Sequence, residues 1–429
     1  MQCVTERETT IYLTKESSKY FPAVVISIDK KALRIVEYTY RMSRLTGIPK
    51  HEPTHQEVAM TTNRGNIIVL SPEYCSTIHE TVLIRLQVKQ DIGILTAYCA
   101  KANATGDDYE DSIVAQVQPD AQGLASFLFE AEQYPHGPIT IRILGGEGDY
   151  RDICHLQLYN KAGKPFLQGA DTAPIPPFAK GMKQVFLDDF SNPDLSISAH
   201  RSDVRYYCHK PGGGDFSQIP FTDFESPANP FSQVDTYLRI RADMAKNSTG
   251  LISSTLADGS GFEAKMPCYF ECRMIGPNAI GSWPAFWLLT NHVKRGNDIP
   301  VDELDTIEAY GLEDLDHQNQ VGYYCTSHRW NQGKNETIDP FAFYDMRTFG
   351  NRLNWDSCFH TYGTLITEEE TVYTCDNIPL FRHPTQPASK IYPFYFMLNL
   401  AVGGNGWPVD ISRYGKIDLY ADYVRVFQG

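Results

Sequence analysis

From residue 66 to residue 160 apolar and polar positions alternate in short runs: NIIVLS, ETVLIRLQV, GILTAYCAKA, SIVAQVQ, GLASFLFEA, ITIRILGG and CHLQLYN. In an extended chain, successive side chains point to opposite faces, so each run predicts a strand with one face buried. Turn residues separate the runs at the spacing of an all-β sandwich. A second series follows: KQVFLDDF, TYLRIRADM, GLISSTL, CYFECRMI, PAFWLLT, LDTIEAY, GYYCTSH, HTYGTLIT, TVYTCDNIPL, YFMLNLAV and ADYVRVFQ. Few helical patterns interrupt it. About 250 residues of this pattern is long for one small sandwich and suits a two-sheet β-jelly-roll.

Between the two series lies GADTAPIPPFAKG (169–181), rich in proline and small residues, which reads as a linker. The expected organisation is an N-terminal β-sandwich accessory domain over 1–168, a linker over 169–182 and a β-jelly-roll over 183–429. FEAEQYPHGPITIRI resembles the late hairpin of an immunoglobulin-like domain. Within the first 60 residues, KKALRIVEYTYRMSRL fits a helix or a strand, and the pattern leaves both open.

Composition narrows the function. The net charge of −14 argues against nucleic acid or an anionic membrane surface as the main partner, since both call for a positive patch. An uncharged ligand suits it better. No apolar run approaches the eighteen residues of a membrane span, and the opening MQCVTERETT is too polar for a signal peptide. The ten cysteines show no CxxC pair and no zinc spacing; most read as free, buried small residues. Sequons stand at Asn103, Asn247 and Asn335.

The chemistry concentrates in PVDELDTIEAYG (300–311), where Glu303, Asp305 and Glu308 interrupt an otherwise apolar strand. Glu303 and Asp305 share a face. Glu308 lies an odd number of positions from both and points away unless a β-bulge intervenes. With the bulge, three carboxyl groups line one side. Same-face neighbours on a strand are about 6.6–7 Å apart, and two long glutamates reaching inward can close to the roughly 5–5.5 Å of a nucleophile and a general acid/base. Crowding raises at least one pKa, which suits proton transfer near neutrality. A solvated acidic edge strand and a calcium site are the competing readings.

The surroundings favour a sugar. In GSWPAFWLL (281–289) Trp283, Ala285 and Trp287 alternate onto one face, leaving room between two indoles for a ring. In YYCTSHRWNQ (323–332) Thr326, His328 and Trp330 share a face. NLAVGGNGWPVD (399–410) brings a glycine turn and Trp407 after a strand.

GSWPAFWLL, DELDTIEAYG, NLAVGGNGWP and the closing DYVRVF occur in the order found in glycoside hydrolase family 16, and the chain resembles that family over residues 183–429. The acidic segment is similar to its E-x-D-x-x-E signature, the variant with a bulge. The resemblance implies a concanavalin-like jelly-roll with a concave substrate cleft. It also implies retaining hydrolysis of a β-linked polysaccharide, a β-glucan or a β-galactan. Under it Glu303 is the nucleophile, Asp305 the assisting acid and Glu308 the acid/base, with Trp283, Trp287, His328, Trp330 and Trp407 as candidate substrate-binding residues. No organic cofactor is implied, although many members carry a structural calcium whose ligands are not assignable here. Ile366 stands where the family often has a tryptophan, and Cys268 and Cys272 where it has small residues. The expectation is a secreted, periplasmic or cell-surface endo-glycanase acting as a monomer. A sugar-binding lectin without activity and a transglycosylase stay open as alternatives.

Overall fold

The computed structural model describes residues 2–5, 10–13, 65–101, 111–146, 151–164, 173–295, 299–313, 317–336, 341–346, 354–404, 411 and 413–429. Contacts divide the chain into Met1–Gln56 and Glu57–Gly429. In the first unit Gln2–Thr5 pairs antiparallel with Thr10–Leu13. The segment left open between helix and strand lies outside the described residues.

Among the described residues the second unit holds four sheets. Ile67–Ser71, Val82–Val88 and Leu124–Phe129 form one of three strands, and a five-stranded sheet runs Thr77–Ile78, Asp152–Asn160, Gly137–Gly145, Leu95–Ala100, Asp111–Val117. Every alternating run between 66 and 160 is a strand. Val82–Val88 and Leu124–Phe129 bury one face only, through Ile84, Leu86, Ala125, Phe127 and Phe129. Asp152–Asn160 is buried along its whole length. Its second face meets the C-terminal half, where the Gln157 amide donates to Asp418 O (2.8 Å) and its Oε1 accepts from Asp418 N (3.0 Å).

Beyond residue 180 the strands form two larger sheets that share no strand with the first two. One runs Phe231–Val234, Tyr237–Asp243, Lys416–Gln428, Cys268–Ile275, His360–Ile366, Glu370–Cys375, Ile378–Pro384, with Lys183–Asp188 also on Lys416–Gln428. The other places Ser282–Thr290 between Phe394–Val402 and Val301–Glu308, followed by Gly322–Asn331. Phe270, Cys272, Phe286, Leu288, Leu304, Ile307, Phe396 and Val424 belong to the core, all fully buried. Nine of the ten cysteines, all but Cys3, are unbridged and buried, as the sequence suggested.

The described part of the linker is strapped down. Arg425 donates to Ala173 O (3.1 Å) and Pro174 O (2.7 Å), and Phe178 stacks on Tyr269 with ring centroids 6.1 Å apart. Three features where this chain differs from the family pattern, Ile366, Cys268 and Cys272, all fall in the sheet that carries no acidic strand.

Candidate active site

The acidic strand, Val301–Glu308, pairs antiparallel with the tryptophan strand, Ser282–Thr290, on one side and with Gly322–Asn331 on the other. Trp287 stands opposite Asp305 and Phe286 opposite Ile307, so Thr306 has no partner on the tryptophan strand. On the other side Asp305 pairs with Thr326 and Glu308 with Tyr324: two residues oppose one. This is the bulge that the odd spacing required. Thr306 turns inward, its Oγ1 2.7 Å from Thr364 Oγ1 in the opposite sheet, and Ile307 is fully buried in the core. Asp302 points away too and accepts from Ser389 N (2.7 Å) and Oγ (2.8 Å).

Glu303, Asp305 and Glu308 consequently line one cleft of about 1020 Å³ together with Trp283, Trp287, His328 and Trp330. Glu308 is held at both oxygens: Tyr310 Oη donates to Oε1 (2.7 Å) and Thr326 Oγ1 to Oε2 (2.7 Å). Glu303 Oε2 accepts from Trp330 Nε1 (3.1 Å), which leaves Oε1 for chemistry. His328 Nδ1 accepts a hydrogen bond from the Asn335 amide (2.9 Å), so Nε2 carries the ring proton and faces Asp305 Oδ2 at 3.6 Å.

Burial sets the electrostatics. It pushes the Glu303 carboxyl up to about 7; Lys210 pulls it back down, Glu308 pushes it further up and the Trp330 bond lowers it. Burial, then Glu308 and Glu303, hold Asp305 well above the usual carboxylate range, so the middle acid keeps its proton. Burial lowers His328, which is neutral near pH 7. The cluster is thus one protonated aspartic acid between two glutamates.

The two tryptophans are more enclosed than an open stacking platform. Each is 6% exposed. Phe216 packs against both, 5.4 Å from the Trp283 ring and 5.7 Å from the Trp287 ring, and Tyr310 lies 5.1 Å from Trp283. Trp287 Nε1 donates to Asn399 Oδ1 (2.8 Å), and the Asn399 amide donates to Trp283 O (3.2 Å). The indoles form wall and floor.

Among the described residues three groups of side chains gather metal-type donors: Cys208, His209 and Asp223; His360, Cys375 and Asp376; Glu303, Asp305 and His328. Each includes nitrogen or sulfur, whereas calcium takes an all-oxygen set. None of them fits the calcium that the family resemblance raised.

The family model for glycosyl hydrolases family 16 matches residues 229–424. These residues belong to glycosyl hydrolases family 16. The endo-1,3-1,4-beta-glycanase EglC of Rhizobium meliloti is 30% identical over 57% of this chain and 52% of its own length. ExsH, an endo-1,3-1,4-beta-glycanase of the same organism, is 33% identical over 46% of this chain and 40% of its own. The chain spans about half the length of the curated relatives it matches. A laminarinase from Flavobacterium sp. UMI-01 superposes on 57% of this chain and 100% of its own with a TM-score of 0.44 and 21% identity.

Within the family 16 domain, all candidate site residues but one converge on the cleft; Trp407 lies outside the described residues. Sequence reading missed Lys210, Phe216, Tyr310, Tyr324 and Asn399, which also line it. Asn399 carried a signal, a lone amide between Leu398 and Leu400 in an apolar strand. Tyr310 sits in the acidic stretch itself. Lys210 and Phe216 flank a glycine loop with no periodicity to read.

Proposed function

We propose that the family 16 domain is a retaining endo-β-glucanase. The carrying observation is the bulge that sets Glu303 and Glu308 into one aromatic-walled cleft with a protonated acid between them. The two Rhizobium meliloti relatives, both endo-1,3-1,4-beta-glycanases, favour a β-glucan over a β-galactan.

The reaction is a double displacement. Glu303 Oε1 bonds the anomeric carbon as the glycosidic C–O bond breaks, and Glu308 gives its proton to the departing oxygen. Water then attacks the same carbon, Glu308 takes the water's proton and Glu303 is released. Asp305 keeps its proton between the two glutamates and can offer it to the nucleophile's carboxylate without ionising. The N-terminal sheets form an immunoglobulin-like accessory domain, and the protein acts outside the cytoplasm as a monomer on polysaccharide.

The test is hydrolysis of laminarin and mixed-linkage β-glucan, with NMR of the anomer first formed. Retained β-anomer in wild type, and loss of turnover with an intact fold in Glu303→Gln, support the proposal. Glucan binding without new reducing ends in wild type would indicate a lectin, and chain lengthening with added oligosaccharide a transglycosylase. Near-normal turnover in Glu303→Gln overturns the nucleophile role.

A further inference from the structure

A buried ionic network joins the N-terminal sheets to the segment that follows the acidic strand. Glu313, five residues after Glu308, is 3% exposed and has a φ of +52°. Its Oε1 lies 3.2 Å from His155 Nδ1 and its Oε2 3.2 Å from Arg413 Nη1. His155 is itself buried in strand Asp152–Asn160 and reaches Asp356 Oδ2 at 3.4 Å with its other nitrogen. Arg413 extends the link: it lies 3.6 Å from Asp152 Oδ2 and donates to Ile67 O. A non-glycine residue in the left-handed region costs energy and persists only where its surroundings over-determine it. Here the His155 ring and the Arg413 guanidinium both hold its carboxylate.

The clamp continues to the chemistry. Gly311 pairs with the start of the tryptophan strand through Gly311 N to Ser282 O and Gly281 N to Gly311 O, each 2.9 Å. A Cβ at Gly311 would stand 2.2 Å from Ala279 O and Ser282 Oγ, so the segment is pressed close. One residue earlier, Tyr310 donates to Glu308 Oε1.

We propose that the N-terminal sandwich is a positioning element of the active site: through His155 and Arg413 it fixes Glu313, and thereby the Tyr310 hydroxyl on Glu308. This rests on Glu308 being the acid/base. Glu313 and His155 touch no substrate and are positioning residues, whereas Tyr310 acts on the reacting group.

The test uses the full chain with Glu313→Ala, Tyr310→Phe, the double variant and the conservative Glu313→Gln. Glu313→Ala should lower kcat about tenfold with KM within about twofold, and should move the alkaline limb of the pH profile as Tyr310→Phe does. The double variant should be no worse than Tyr310→Phe alone, and Glu313→Gln should recover most of the rate. If Glu313→Ala does not fold, His155→Gln carries the same cycle. Lost stability with kcat and the alkaline limb unchanged, or effects that add to those of Tyr310→Phe, would overturn the proposal. Hydrogen exchange at residues 309–313 reads the clamp without substrate: faster exchange in Glu313→Ala is expected, and unchanged exchange counts against it. An inactive wild type with that acceleration present would sink the glucanase reading and spare the clamp.

Discussion

Glu303 and Glu308 stand five positions apart, an odd step, yet line the same cleft, because Thr306 and Ile307 both turn inward. Parity makes this testable. Deleting Thr306 leaves the glutamates four apart in a regular strand, still on one face. Turnover should survive within about a hundredfold, with a loss of about 1 kcal/mol for the Thr364 hydrogen bond. Deleting Thr306 and Ile307 together restores an odd step without a bulge and should abolish turnover. Product release and urea midpoints for both deletions check the argument; equal activities would refute it.

Glu308 is oriented at both oxygens by Tyr310 and Thr326, the environment of a proton donor that must not swing. Glu308→Ala should slow turnover about a thousandfold. With an aryl glycoside, azide should restore part of the rate and yield the β-glycosyl azide. Chromatography of the products decides; no adduct despite normal substrate binding would remove Glu308 from the acid/base role.

Glu303 is raised to about 7 chiefly by burial. Its folded value lies above its unfolded one, so the stability it contributes is present at low pH and is lost as pH rises through about 7. Glu303→Gln cannot ionise. Between about pH 5 and 8 the wild-type melting temperature should fall more steeply than that of the variant. The acid limb of kcat/KM should lie near the same value, and Lys210→Met should move it to higher pH. Paired melting and pH-rate curves measure both.

Arg425 joins the buried Glu271 carboxyl to the strap at Ala173 and Pro174. Arg425→Met leaves that acid without its cation and should cost about 3–5 kcal/mol. Adding Glu271→Gln should return a good part of it, read from denaturant midpoints of the single and double variants.

Alternation was enough to find the strands, because a half-buried sheet writes its two faces into successive residues. Val82–Val88 reads this way, and so does Leu124–Phe129. The acidic face was legible too, since three carboxyls in an apolar run conflict with packing unless they do something. The enclosure of Trp283 and Trp287 was not, because Phe216 reaches them from a loop 67 residues before Trp283. Nor was the clamp: Glu313, His155 and Arg413 are each ordinary in sequence and meet only when distant segments fold together. Asp152–Asn160 shows the same limit, for its unbroken burial comes from a neighbour that no local pattern announces.

Nine of the ten cysteines, all but Cys3, are unbridged and buried. Alkylating reagents therefore meet no target among them until the surrounding sheets part. Mass shifts after timed iodoacetamide pulses would act as a clock for opening, each cysteine dating the loosening of the segment that buries it.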